Sequence, residues 1–176
     1  MLFIPGWFIS VFTFPGVMAH EIGHRIFADW AKVPVYKVCY FRFGNPAGYV
    51  IHGPVKGLKS AFLISVGPLI VNTLLCALLT FSAVFPLFIL EVEQYSAVFP
   101  LLMWAGFSIG MHAFPSNDDM ENLVNEVKNT QQGGFLLIAA KCFAGLLRLA
   151  NALRVIWFDA IYAALVMMLL PLLLGF

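Results

Sequence analysis

Charge is what this chain has least of. Only 11% of its 176 residues are Asp, Glu, Lys or Arg, 61% are hydrophobic, and the mean hydropathy of +0.90 lies outside the range of ordinary soluble domains. Ten Lys and Arg against nine Asp and Glu leave a formal charge of +1. No basic excess suits nucleic acid, and no acidic excess marks a disordered tail. Cysteine is scarce as well: Cys39, Cys76 and Cys142 are odd in number and lack CxxC spacing, which argues against a disulfide framework and a thiolate zinc site. Internal repeats and low-complexity tracts are missing too. The apolar stretch Met1 to Val11 has no basic leader and no small-residue cleavage site, so it is expected to be retained.

What is present is apolar sequence in long runs. It predicts one α-helical integral membrane domain over 1–176, with about four transmembrane helices at roughly 20 residues each. The first is expected over 2–31, kinked near Pro15 and regular from Gly16, since a membrane helix tolerates proline where neighbours satisfy the freed carbonyl. A β-hairpin insertion is expected over 33–52, where Val35, Tyr36, Val38, Tyr40, Phe41 and Phe43 precede an Asn45-Pro46 turn and Tyr49, Val50 and Ile51 follow it. Further spans are expected over 61–90, 95–113 and 156–174, and a polar loop and helix over 115–132, beginning at Ser116 and stopped by Gly133-Gly134. Residues 135–155 carry Lys141, Arg148, Asn151 and Arg154 along one side and read as an amphipathic helix lying in the interface, with a fifth tilted span as the alternative.

The first loop holds Lys32, Lys37, Arg42, Lys56 and Lys59 without an acidic residue, whereas the loop after the second span holds Glu91 and Glu93. Positive loops stay inside, so the first loop is predicted to be cytoplasmic, with both termini outside. The end of the first span and the loop from Ser116 then share the cytoplasmic side.

Those two places hold the chemistry. His20-Glu21-Ile22-Gly23-His24 is an HExxH motif. Residues four apart share a helical face, so both imidazoles can reach one metal ion, with Glu21 beside them as a base. Ionisable groups inside an apolar segment are expensive and point to function. Catalytic zinc takes three protein ligands and leaves a position for water. The third ligand is to be sought among His112, Asp118 and Asp119. Asp119 has a competing structural use, because Ser116-x-x-Asp119 is a capping-box pattern, and Asp118 would suit the first turn of a helix.

An HExxH helix, a short β-rich segment, Gly67-Pro68-x-x-x-Asn72 in the next helix and a Pro115-containing polar loop with Asp resemble the site-2 protease family of intramembrane zinc metalloproteases, over about 17–119. The resemblance implies a zinc endopeptidase that cuts transmembrane segments of other proteins in the lipid bilayer, in a prokaryotic cell membrane with the site toward the cytoplasm. It also implies zinc on His20, His24 and Asp119, Glu21 as base, His112 as an oxyanion donor and Asn72 as a supporting residue. The family's Leu-Asp-Gly triplet is absent, Met120 stands where it has glycine, and His112 stands where it has asparagine. The hairpin is expected either to offer a strand edge to an extended substrate or to act as a plain cover. Two other classes compete: a non-catalytic relative that holds membrane helices, and a metal-ion transporter. Arg25 and Asp159 are expected either to pair with each other or to take part in catalysis.

The loop reading is open to direct test. In a background without the native cysteines, Lys56→Cys should react with an impermeant thiol reagent from the cytoplasmic face alone. Labelling from the outer face would invert the orientation.

Overall fold

The protein is described here by a computed structural model covering residues 5–92, 97–130 and 133–175. The expected span starts at 2 and 95, Glu93 and the expected polar-helix end at 132 lie outside those residues. The order is α1 (Gly6–Phe12), α2 (Phe14–Trp30), β1 (Val35–Cys39), β2 (Tyr49–His52), α3 (Leu58–Val84), α4 (Phe99–Met111), α5 (Asn117–Asn129), α6 (Phe135–Leu153) and α7 (Phe158–Leu174). The first apolar run breaks at Thr13, and Pro15 sits in the opening turn of α2, where a missing N–H leaves no helical bond unmade. HExxH therefore lies on an uninterrupted helix. At its far end α3 widens into a π turn, Phe85–Ile89.

The hairpin forms as expected, antiparallel, with Lys37 opposite Ile51 and Cys39 opposite Tyr49. It is the one sheet among the described residues. Helices α2, α3, α4 and α7 meet in one core through Ala19, Cys76, Ile109 and Met167. A second cluster joins Leu58 and Ala61 of α3 to Leu123 of α5 and Ala140 and Ala144 of α6. The site lies between these two packings.

On α3 the usual arrangement of a soluble helix is reversed. Ile70, Leu74 and Leu78, at helical spacing, face outward, while Asn72, Cys76 and Thr80 are the fully buried stripe. Among the described residues, Leu58–Val84 and Phe135–Ile156 are the two helices long and apolar enough to cross a membrane. The second of these is α6 with its following 3₁₀ turn, the segment expected to lie in the interface. The expected spans in α4 and α7 appear as shorter apolar helices.

Small residues set how closely α2 approaches its neighbours, two of them beside the motif. A Cβ on Gly23 would stand 2.8 Å from the Pro68 Cα, so α2 and α3 cross backbone to backbone beside the motif. A Cβ on Gly48 would stand 2.7 Å from the Glu21 Cγ, so the chain entering β2 lies directly over that side chain. Arg25 and Asp159 do not pair with each other. Arg25 Nε reaches Asp29 Oδ2 at 2.7 Å, one turn along α2, and Asp159 meets Arg154 at 3.0 Å, because each finds a closer partner.

Gly23→Ala should lower stability by about 1–3 kcal/mol, since the clash is with backbone that cannot rotate away. Leu74→Ala, on the outward face, should change it by about 0.5 kcal/mol or less. Unfolding midpoints in detergent compare the two; an unchanged midpoint for Gly23→Ala would rule out the close crossing.

Candidate metal centre

His20 and His24 project from one face of α2, and each ring is held by its Nδ1. His20 Nδ1 lies 2.7 Å from the His112 carbonyl oxygen and His24 Nδ1 lies 3.2 Å from that of Ile64. A carbonyl only accepts, so Nδ1 carries the hydrogen in both rings and each Nε2 presents a lone pair. Those two nitrogens are 3.2 Å apart.

Asp119 arrives from α5, in the first turn after Ser116. Its Oδ2 lies 3.2 Å from His24 Nε2 and 3.6 Å from His20 Nε2. A tetrahedral ion with bonds of about 2.0–2.1 Å separates its ligands by roughly 3.3 Å, so the three edges fit such a centre. Three lone-pair atoms facing one another repel unless a cation or a proton sits among them. His20, His24 and Asp119 form a group that could hold a metal ion.

The capping box expected at Asp119 is formed, and the capping carboxylate also faces both imidazoles. Ser116 N and Oγ donate to Asp119 Oδ2 at 2.9 and 2.6 Å, and Asp119 N donates to Ser116 Oγ at 3.2 Å, a complete capping box. The cap fixes the carboxylate that faces the imidazoles. Burial pushes the Asp119 carboxyl up; when the imidazoles are protonated, so that Nε2 also carries a hydrogen, the charge of His24 and hydrogen bonds from both rings outweigh burial and hold the group well below the usual carboxylate range.

Glu21 is buried at 7% exposure and, with His20, Gly48, His112, Asp118 and Asp119, lines a cavity of about 350 Å³. Asp118 is exposed and stands apart from the ligand group. His112 enters through its main chain: its carbonyl orients His20, while its Nε2 lies 2.7 Å from Thr13 Oγ1. The Thr13 hydroxyl donates to the Ile9 carbonyl, so it accepts from His112. Asn72, fully buried, aims its amide nitrogen at the carbonyls of Gly16, Ile109 and His112 at 3.3, 3.0 and 2.9 Å. It supports the site from behind rather than lining it. Sequence reasoning missed Thr13, Gly48, the Ile64 carbonyl and Arg154, which also borders the cavity; of these only Arg154 had a signal, as a charge in an apolar helix.

Comparison with known protein families, curated proteins and solved structures finds no match. The reading of this centre therefore rests on its own residues.

Zinc stoichiometry of purified protein tests the assignment. Asp119→Ala should lose metal as His24→Ala does, while Asp118→Ala should retain it. Ser116→Ala removes the cap and keeps the ligand, at about 1 kcal/mol of stability. Full occupancy in Asp119→Ala would take Asp119 out of the ligand set.

Proposed function

We propose that the chain is an intramembrane zinc metalloendopeptidase, resembling site-2 proteases, that hydrolyses peptide bonds within transmembrane segments of other proteins. The observation that carries the reading is the meeting of both HExxH imidazoles with Asp119 at tetrahedral spacing, beside the buried Glu21. The outward Ile70, Leu74 and Leu78 support a lipid surround, since such a face is costly in water and ordinary against acyl chains. In this reading α2, α3, α4 and α7 traverse the bilayer, with the site toward the cytoplasm. Helix α6 lies at the interface: it packs on the polar α5, meets the first turns of α3 through Phe143 and Phe62, and exposes Lys141 and Arg148.

His20, His24 and Asp119 would hold the zinc. When bound there, zinc lowers the pKa of water from roughly 15.7 to about 7 and polarises a carbonyl. Glu21 takes the proton of the attacking water on its carboxylate and passes it to the amine nitrogen as the peptide bond breaks. Gly48 lies over Glu21 with no side chain to displace it. His112 holds the His20 ring in its ligating tautomer through its carbonyl, with Asn72 fixing that carbonyl in turn. A helical substrate must unwind to expose its carbonyls. Tyr49, Val50 and His52 border the cavity, and the edge of β2 not paired with β1 suits an extended segment. Transport is less well supported, because the buried Thr80 hydroxyl is spent on its own helix, donating to the Cys76 carbonyl.

Glu21→Gln tests the reading. The amide fills the same volume but accepts no proton, so metal content should be unchanged while cleavage of a membrane-embedded substrate falls by about 10²–10⁴. Near-normal cleavage by this variant would sink the protease mechanism.

A further inference from the structure

Two polar side chains of the α6–α7 region, Arg154 and Asn151, reach the segment just before Asp119, and a third, Asp159, stands behind Arg154. Arg154 Nη2 donates to the Phe114 carbonyl at 3.0 Å, and Arg154 Nε lies 3.0 Å from Asp159 Oδ2, whose side chain is 5% exposed. Asn151 Nδ2 donates to Asn117 Oδ1 at 2.9 Å. The Phe114 ring rests against Phe158 and Tyr162, with centroids at 5.4 and 4.8 Å. Segment 114–117 is thus gripped from outside by elements that supply no metal ligand.

A half-buried guanidinium paired with a buried carboxylate adds little net stability, because desolvation of the carboxylate offsets their attraction. Their effect is geometric. The carbonyl that Arg154 holds belongs to the peptide entering Pro115, and proline fixes φ and brings no donor of its own. With φ of Pro115 fixed, its ψ is the one soft torsion between that peptide plane and the peptide N–H of Ser116, which with the Ser116 hydroxyl holds Asp119 Oδ2.

We infer that Arg154 is a positioning residue for the metal centre: braced by Asp159, it fixes the Phe114 carbonyl and so sets the direction from which Asp119 meets His20 and His24. The inference rests on the metal-centre reading and adds to it a fixed cation forty residues down the chain from the carbonyl it holds. Asn151 is a weaker arm of the same brace, acting on the first residue of α5.

The test uses the full chain in detergent, with zinc affinity measured by competition against a chelator and cobalt substitution reporting ligand geometry by its visible absorption. Arg154→Gln should weaken zinc binding by about 10- to 100-fold and alter the cobalt spectrum, the range usual for outer-shell partners of a metal site. The unfolding midpoint of the metal-free protein should stay close to wild type, which a merely structural role would not allow alongside a metal defect. Arg154→Lys, able to meet Asp159 but not to bridge to Phe114, should recover part of the affinity, and Asn151→Ala should weaken it a few-fold. Wild-type affinity and spectrum in Arg154→Gln would overturn the inference. Should that variant not fold, unchanged affinity in both Arg154→Lys and Asn151→Ala would do the same. A wild-type chain that binds neither zinc nor cobalt would remove the metal centre and this inference together, whereas metal binding without proteolysis would count against the protease reading alone.

Discussion

One carbonyl oxygen, that of His112, ties the structure together. It accepts from Asn72 on α3 and from His20 on α2, and it sits at the end of α4. A donor buried among apolar side chains is costly unless a partner within the protein accepts from it, and this carbonyl serves two such donors. Helix α4 ends there because His112 leaves helical geometry, which turns its carbonyl toward both donors. The same residue's ring reaches Thr13 at the break between α1 and α2. Four elements are thereby set relative to a single imidazole, that of His20.

Around that point the buried polar groups form layers of dependence. Asn72 holds a carbonyl, the carbonyl holds an imidazole, and the imidazole presents a lone pair. On the other side Arg154 holds Phe114, and Ser116 holds Asp119. Neither route crosses the hairpin, whose Gly48 lies over Glu21 and whose β2 borders the cavity.

The parts of the site that were legible in sequence are those whose geometry is local. His20 and His24 share a face because four residues are nearly one helical turn, and Ser116-x-x-Asp119 marks a helix start for the same reason. The hairpin was visible in its β-formers and its Asn45-Pro46 turn. The break at Thr13 was blurred to a kink at Pro15, since a proline in a first turn and one in a helix interior look alike in a string of letters. The choice of Asp119 over Asp118 depends on helix phase, which the cap sets. Long-range pairings had no local trace. Arg154 meets Phe114 across forty positions, and Asp159 had looked as well suited to Arg25, which instead takes Asp29 one turn away. The roles of α6 and α7 could not be read from their own residues, because what they hold lies elsewhere in the chain.

The capping box has a consequence for reactivity. An oxygen that already receives two hydrogen bonds has its electron density drawn toward those donors and is a poorer electron-pair donor than a free carboxylate. Asp119 Oδ2 is such an oxygen. A cation seated against it would be less completely neutralised by its ligands and would stay more electrophilic toward whatever filled its open position. The cap that starts α5 would thus tune the Lewis acidity of a metal ion held there, from a helix terminus the fold needs in any case.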